Sequence, residues 1–250
     1  LDTAFGEFLS NAESFYNADD YKASLFNISK ALQIEPTSLA AQKLQEKILL
    51  LPKVLKNIQK AAVARTENNL KTELKHLKMA ISSDPLRHEL VDRLRIVKKE
   101  ITELRFADLI KKGLANVEQR NAEAAQLYLS KARSIFEERS EVELLSKKVK
   151  ALALDIRVES LVRKAKIESE ADNWPKAESL YLKAINIRPN RKDIEDGFAL
   201  AEKINNLNEK LAYHLQAPHR LSSDNLAEIV RKLAAEAKTV SAKSDLIKNQ

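Results

Sequence analysis

The strongest constraint on the fold of this chain is a pattern of residues that recurs about every fifty positions along its 250 residues. Each copy opens with two polar residues, continues with apolar residues at helical spacing, and carries an alanine in its second half. The copies and their alanines are residues 19–36 with Ala31, 68–85 with Ala80, 120–137 with Ala132, and 172–189 with Ala184. Because the alanines are 49, 52 and 52 residues apart, the sequence indicates an array of four similar units.

The copied segments have the composition and the end signals of short helices. The chain has only 3 Gly and 6 Pro, with 32% charged and 44% hydrophobic residues, which favours helices because the turns and bulges of sheets use glycine. In the first copy Asp19 and Asp20 offer an N-cap for a helix over 21–34, and Pro36 prevents that helix from continuing. We therefore predict an all-α fold with a short helix in every unit.

The residues between the copied segments also have helical periodicity. Apolar residues three and four positions apart form seams, which are Leu90, Leu94, Val97, Ile101 and Leu104; Val142, Leu145, Val149, Leu152 and Ile156; and Ile194, Phe198, Ala201, Ile204, Leu207 and Leu211. We predict helices of about 30 residues that alternate with short helices of about 15 residues. Ser140 and Glu143 form a predicted capping box, and Pro52 is expected to break or restart the first long helix.

Helices of these lengths predict a particular arrangement. Each long helix would advance about 45 Å and each short helix would return about 23 Å. The second half of one long helix, the short helix and the first half of the next would then form a three-helix bundle. Bundles joined in this way predict an elongated rod or superhelix, and the alternative is an ordinary coiled solenoid in which the added helices fold back.

The unit boundaries predicted from this periodicity are about 5–51, 52–104, 105–156 and 157–216, which together make a repeat region over residues 1–216. Residues 217–250 are predicted to hold a C-terminal capping helix, after a break at 217–220 and a polar cap at 222–225, and a frayed tail from residue 245. The first residue is Leu1 rather than Met, so we expect the chain to be the helical-repeat region of a larger protein.

The small and large residues of the units resemble the tetratricopeptide repeat, a helical hairpin in which small residues lie where two helices cross. The matching residues are Phe8, Ala12, Phe15, Tyr21, Ser24, Ile28, Ala31 and Pro36; Ala61, Ala64, Leu70, Leu77, Ala80 and Pro85; Leu109, Gly113, Ala125, Leu129 and Ala132; and Leu161, Ala165, Trp174, Ala177, Tyr181, Ala184 and Pro189. The residues that depart from the pattern are Asn57, Glu73, Asn116, Ala122, Glu137 and Glu168. Because the family unit has about 34 residues, each unit here carries about 16 extra residues.

This resemblance implies a non-enzymatic scaffold or spacer for protein–protein interaction, whose partner is another protein or a peptide. The partner would bind in a groove formed by the first helix of each hairpin. The residues at the implied groove positions are Leu9, Glu13, Tyr16, Ile58, Arg65, Ile110, Val117, Val162 and Lys166. Trp174, which occupies a repeated position, is predicted to pack between helices rather than to anchor a partner.

The sequence contains no recognisable catalytic, cofactor or metal motif. The absence of Cys excludes disulfides, thiolate metal sites and Cys nucleophiles. The four histidines are scattered over the sequence, and there is no glycine-rich phosphate loop. We therefore expect no enzyme activity and no cofactor.

Positive charge is concentrated in residues 51–100, which hold 12 Lys and Arg against 6 Asp and Glu, in a chain of formal net charge +7. The lysines on either side of one hairpin turn form a predicted basic patch, which consists of Lys53, Lys56, Lys60, Lys71, Lys75 and Lys78. Such a patch would attract an acidic partner, while a solvated helix face is the simpler interpretation. Residues 51–100 contain no aromatic residue on which a base could stack, which argues against single-stranded nucleic acid as the partner.

Two further functions stay open at this point. One is a sensory or regulatory ligand-binding module of a protein anchored to a membrane by a segment outside this chain, and the other is a nucleic-acid-binding helical repeat. The sequence shows no signal peptide and no apolar run near the roughly 20 residues of a membrane helix. It does not distinguish a cytoplasmic from a periplasmic location, and it does not indicate an oligomeric state.

Overall fold

The computed structural model describes residues 2–216 and 224–248, which form α-helices, one 3₁₀ turn and short connections without any strand. The helices are α1 (Asp2–Asn17), α2 (Tyr21–Ile34), α3 (Leu39–Thr66), α4 (Leu70–Ser83), α5 (His88–Glu118), α6 (Ala122–Arg133), α7 (Ser140–Glu170), α8 (Trp174–Ile187), α9 (Lys192–Leu215), α10 (Asp224–Val240) and α11 (Asp245–Lys248). The predicted all-α fold is confirmed. Within the described residues, no helix combines the length and the apolar character that crossing a bilayer requires.

Long and short helices alternate as the sequence predicts. The long helices α3, α5, α7 and α9 have 28, 31, 31 and 24 residues. The short helices α2, α4, α6 and α8 have 14, 14, 12 and 14 residues. The period of the sequence is therefore the period of one long and one short helix.

The four turns that lead into the short helices share one backbone conformation. A residue with positive φ lies in each turn, and the φ values are 63° at Asp19, 54° at Asn68, 59° at Arg120 and 58° at Asp172. In every turn the next residue donates its backbone N–H to the carbonyl five residues earlier, over 2.8 to 2.9 Å, which satisfies an end carbonyl of the preceding helix. The polar pairs that open each copy in the sequence are these turn residues and the N-caps that follow them.

The predicted cap at the first turn is confirmed, because Asp20 Oδ1 accepts the backbone N–H of Ala23 over 3.0 Å. Asn69 and Asn121 cap α4 and α6 in the same way, over 3.1 Å in both cases. An N-cap of this kind stabilises a helix by about 1 kcal/mol. The sequence therefore fixes where three of the four short helices begin.

The predicted break at Pro52 is wrong, because α3 continues through it from Leu39 to Thr66. Pro52 itself is exposed, so its ring lies away from the buried side of the helix. Leu51 and Val54 on either side are 0% and 1% exposed. Packing on both sides of the proline holds the helix together across it.

The predicted capping box at Ser140 and Glu143 is also wrong. The N-cap of α7 is Arg139, and no side chain accepts a hydrogen bond at this position. Ser140 is already in the helix, and its Oγ donates to Glu141 Oε2 over 3.2 Å. Glu143 instead pairs with Lys147 one turn later, over 2.6 Å.

The chain divides into two compact units, residues 1–109 and residues 110–250. Two apolar clusters lie among the described residues of unit 1. The first lies between α1, α2 and the first half of α3 and is built from Ala12, Tyr16, Ile28, Ala31, Ala41, Ile48 and Leu51. The second lies between the second half of α3, α4 and the first part of α5 and is centred on Ala61, Leu77 and Val97. Both clusters have the three-helix arrangement that the sequence predicts. Leu104, however, is 63% exposed, because a seam with a seven-residue period drifts by about 20° per heptad around a straight helix.

Unit 2 contains an extensive buried cluster, between the second half of α7, α8, α9 and the C-terminal helices. Leu233, Ala237 and Val240 of α10 are buried in it together with Ile204 and Leu207 of α9. The ends of α8 and α10 are 53 residues apart, close to the repeat period. Helix α10 therefore occupies the place of a fifth short helix, a role that its sequence did not reveal.

The remaining C-terminal predictions have different outcomes. The predicted break at 217–220 and the predicted caps at 222 and 223 lie outside the described residues, and α10 begins at Asp224. The predicted frayed tail differs from the structure at residues 245–248, which form α11. Ile247 is 4% exposed there, because it packs into the cluster of unit 2.

The small residues of the tetratricopeptide pattern lie where helices pack closely. All twelve residues at three repeated positions are buried: Ala12, Ala61, Gly113 and Ala165; Ser24, Glu73, Ala125 and Ala177; and Ala31, Ala80, Ala132 and Ala184. At Gly113 an added Cβ would lie 2.6 Å from Leu145 Cδ2, which shows how close α5 and α7 come. Glu73 is the exception in chemistry, since it occupies a position at which the other three sequence repeats have Ser or Ala.

Candidate functional site

A cleft of roughly 540 Å³ in unit 1 is the strongest candidate site. Its walls come from α1, α3, the start of α5 and the connection that precedes α5. The lining residues are Glu13, Tyr16, Asn17, Asp19, Leu44, Lys47, Ile58, Asp84, Leu86, Arg87, His88, Glu89 and Leu90. We refer to this site as the α1–α3–α5 cleft.

Four polar side chains form one hydrogen-bonded network in the α1–α3–α5 cleft. The Tyr16 hydroxyl donates to Asp84 Oδ2 over 2.6 Å, and Arg87 Nε donates to the same oxygen over 2.7 Å. Arg87 Nη2 donates to Asp19 Oδ1 over 2.6 Å. The network joins the turn after α1 to the connection after α4, which is 68 residues further along the chain.

Burial and pairing shift the pKa values of Tyr16, Asp84 and Arg87 in ways that keep each of these three groups in one protonation state. Burial, together with the hydrogen bond to Asp84, raises the pKa of Tyr16 to about 12. Burial alone would raise the pKa of Asp84, but the hydrogen bonds from Tyr16 and Arg87 outweigh it and hold that pKa below its ordinary value. Burial opposes the charge of Arg87, but its bonds to Asp19 and Asp84 raise its pKa above the ordinary value. The network is therefore a neutral phenol between fixed opposite charges, which suits a rigid support better than proton transfer.

The rim of the cleft has exposed groups of both charge signs and one large apolar side chain. Glu13, Lys47, His88 and Glu89 are exposed. Leu86 is 64% exposed beside them. This combination can hold a peptide, because charged groups fix its register and an apolar side chain contributes contact area.

The structure brings together some of the groove residues that the resemblance implies. Glu13, Tyr16 and Ile58 line the α1–α3–α5 cleft, while Leu9 packs against the first apolar cluster of unit 1 and Arg65 is exposed. In unit 2, Ile110 and Val117 are half-buried, Val162 lies in the apolar cluster and Lys166 is exposed. The cleft thus contains three of the nine predicted residues.

Sequence reasoning missed Asp19, Asp84 and Arg87 as site residues. The sequence indicates Asp19 only as part of a helix cap, and Asp84 and Arg87 belong to no recognised motif. Their contacts join residues 68 positions apart, so no local pattern indicates them. The available signal was the position of Asp84 and Arg87 directly after a short helix, at the end of a repeat.

Unit 2 has a related ionic joint with the charges exchanged. Arg120 occupies the turn position that Asp19 has in unit 1, and its Nη2 donates to Glu159 Oε1 over 2.7 Å. Arg188 follows α8 as Asp84 follows α4, and its Nε donates to Asp155 Oδ1 over 2.8 Å. The turn residue thus anchors a packed neighbour in both units, with opposite charge in each.

The six lysines of the predicted basic patch are all exposed. Lys53, Lys56 and Lys60 lie on α3, and Lys71, Lys75 and Lys78 lie on α4. Trp174 is 5% exposed within the apolar cluster of unit 2, and its indole N–H donates to Asp172, as expected for a packing residue. No group of three or more metal-ligating side chains occurs among residues 2–216 and 224–248.

No protein-family model matches the chain, and no curated protein matches it. A tetratricopeptide repeat protein from Parabacteroides merdae ATCC 43184, of known crystal structure, is similar over 99% of this chain and 97% of that chain, at 14% sequence identity and a TM-score of 0.17. The tetratricopeptide resemblance therefore remains one of sequence pattern, beside the helical hairpins and buried small residues described above.

Proposed function

We propose that this chain is a non-enzymatic scaffold for protein–protein interaction and that a peptide segment of a partner binds in the α1–α3–α5 cleft. The observation that carries the proposal is the combination of a rigid, internally paired network with an exposed rim. Tyr16, Asp84 and Arg87 form hydrogen bonds with one another. We therefore assign these three side chains to the support of the cleft and not to a catalytic step. Among the residues that the structure describes, no buried side-chain nitrogen or oxygen lacks a hydrogen-bond partner.

The rim favours an extended peptide over a small molecule. Leu86 is exposed at one edge of the cleft, and Leu44 and Ile58 are half-buried on the α3 wall. Glu13 on α1 and Lys47 on α3 supply opposite charges at the cleft. A peptide with one apolar side chain between polar residues fits this lining, since apolar contact supplies affinity and the charges supply orientation.

Site-specific photo-crosslinking tests the proposal. A photo-reactive residue in place of Leu86 is expected to capture a partner from the native source, and the same residue in place of Leu182, an exposed leucine of unit 2, is the matched control. The captured partner is then purified, and its binding to the wild type and to Leu86→Glu is measured by calorimetry. We expect about a tenfold weaker complex for Leu86→Glu, because a charge replaces an apolar contact.

Two results would refute the proposal. One is equal capture at the Leu86 and Leu182 positions, which would mean that contact is not localised to the cleft. The other is unchanged affinity of the purified partner for Leu86→Glu when circular dichroism shows an intact fold.

A further inference from the structure

The α3–α4 hairpin has a row of exposed lysines on each of its two helices, and we call the two rows together the lysine face. On α3 the residues Lys53, Lys56 and Lys60 are three and four positions apart, so they share a side of the helix. On α4 the residues are Lys71, Lys75 and Lys78, with the same spacing. Helices α3 and α4 pack against each other, so the two rows lie on neighbouring helices.

A polar contact holds the two helices together beside the lysine face. Asn57 Oδ1 lies 3.0 Å from His76 Nδ1, and Asn57 Nδ2 donates to the carbonyl of Lys53 over 2.9 Å. Asn57 is 6% exposed, so this contact lies at the edge of the buried interface. This contact gives a reason for the departure of Asn57 from the repeat pattern.

The charge of the lysine face is not neutralised by the protein. None of its six ammonium groups has a carboxylate within 4 Å among the described residues. Only two acidic residues lie between positions 51 and 83. One of them, Glu73, is 1% exposed and binds Arg93, and the other, Glu67, lies at the hairpin turn. The face therefore projects an uncompensated positive potential into the solvent.

Two apolar side chains are exposed on the same helices. Val63 follows Lys56 and Lys60 at helical spacing and is 51% exposed. Met79 follows Lys75 by one turn and is 40% exposed. A partner with acidic residues and a few apolar side chains would be complementary to this surface.

We propose that the lysine face binds an acidic segment of a partner protein. The inference rests on the proposed scaffold function and names the chemistry of one partner. A polypeptide is favoured over nucleic acid because residues 39–83 contain no aromatic side chain for base stacking and the face has Lys rather than Arg, which binds phosphate in a bidentate manner. A membrane surface is disfavoured for the same lack of aromatic residues, which interfacial helices use.

The lysine face is separate from the α1–α3–α5 cleft. Ile58, which lines the cleft, is two residues from both Lys56 and Lys60, which places it about 160° from each around the helix. The two surfaces are therefore on different sides of α3. A variant in one is not expected to affect binding at the other.

The experiment measures the binding of a labelled glutamate-rich peptide of about 20 residues, long enough to span a helix of the hairpin, by fluorescence anisotropy. The test variant combines K56E, K60E, K75E and K78E. The control combines K148E, K164E, K183E and K192E, which are exposed lysines of unit 2 and give the same change in net charge. A second test variant with Gln at the four face positions removes charge without adding repulsion, and circular dichroism checks the fold of each.

We expect the wild type and the control variant to bind the peptide with affinities within about threefold of each other, and the glutamate variant to bind at least about tenfold more weakly. The glutamine variant is expected to lie between them. Binding by the wild type is expected to weaken as salt rises, because the contacts are exposed to solvent. Leu86→Glu is expected to bind the peptide like the wild type, which separates this proposal from the one for the cleft.

Several results would overturn the proposal. Equal loss of affinity in the test and control variants would mean that only net charge matters. Loss of peptide binding in Leu86→Glu would place the acidic segment in the cleft. Absence of peptide binding by the wild type would also overturn the proposal. If the wild type then bound a 20-nucleotide single strand or phosphatidylserine vesicles, the lysine face would be assigned to that ligand.

Discussion

Arg93→Ala is expected to destabilise unit 1 far more than Glu73→Ala, although the two side chains form one ion pair. Arg93 Nε donates to Glu73 Oε1 over 2.6 Å, and Nη2 donates to Oε2 over 3.0 Å. The side chain of Glu73 is 1% exposed, whereas that of Arg93 is 20% exposed. Removal of the arginine leaves a carboxylate inside the protein, but removal of the glutamate leaves a guanidinium that can turn to the solvent.

The expected magnitudes follow from this asymmetry. A buried charge that loses its partner costs about 3–5 kcal/mol, and we expect about 3 kcal/mol for Arg93→Ala because water can reach the space that the arginine leaves. Glu73→Ala installs the residue that occupies the equivalent positions 125 and 177, and Arg93 keeps its 3.5 Å contact with Glu100. The cost of Glu73→Ala is expected to be about 1 kcal/mol, the typical size of a single-residue change.

Urea unfolding followed by circular dichroism gives the total change in the free energy of unfolding. Hydrogen exchange of residues 70–83 shows whether the loss is localised to α4, since stability in repeat proteins is a sum over units and their interfaces. The double variant, in which both residues are alanine, is expected to resemble Glu73→Ala because no carboxylate is left buried at position 73. The reasoning would be refuted if Glu73→Ala lowered the free energy of unfolding more than Arg93→Ala does. Such a result would mean that the unpaired Glu73 carboxylate costs less than the loss of the ion pair.

Further predictions concern packing and pH. Gly113→Ala is expected to lower the free energy of unfolding by about 1 kcal/mol, because the added Cβ would lie 2.6 Å from the side chain of Leu145, which is fully buried, and the gain in helix propensity offsets only part of this cost. Gly6→Ala, whose added Cβ has nothing within 4 Å, is expected to raise the free energy of unfolding by about 0.5–1 kcal/mol. Thermal unfolding of the two variants checks this, and equal shifts would contradict it. Because folding lowers the pKa of Asp84, its carboxylate stabilises the folded state at pH values above the unfolded pKa of about 4. This stabilisation is lost as the pH falls through the pKa of the folded state. Asp84→Asn should therefore flatten the acid side of a pH series of urea unfolding curves, and an unchanged acid slope would argue against the pairing. Because folding raises the pKa of Tyr16, its neutral hydroxyl stabilises the folded state below pH 10, and this stabilisation is lost as the pH rises to about 12. Tyr16→Phe should therefore remove the loss of stability from the alkaline side of the same series. An alkaline side identical to that of the wild type would refute this prediction.

The positions of the short helices could be predicted because local chemistry determines them. The helix predicted over 21–34 has those bounds in the structure, with a polar cap before it and a proline after it. Features that depend on neighbours in space were missed. The continuity of α3 through Pro52 depends on burial of Leu51 and Val54, which the proline itself does not reveal.

The candidate site could be predicted only in part for the same reason. A resemblance that assigns positions on the first helix of each hairpin indicated Glu13, Tyr16 and Ile58. The network partners of Tyr16 come from the next repeat, and their contribution depends on how consecutive hairpins pack. Glu73 is a similar case, since its role became clear only with Arg93, which lies 20 residues later on another helix.

The exchanged charges at the hairpin turns have a consequence for the order of the repeats. The turn of the first hairpin presents Asp19 to Arg87, whereas the corresponding turn in unit 2 presents Arg120 to Glu159. If a recombined gene exchanged these two turns, arginine would face arginine at one joint and aspartate would face glutamate at the other. Although the hairpins share one backbone design, each is therefore matched to its own successor, and they are not interchangeable modules.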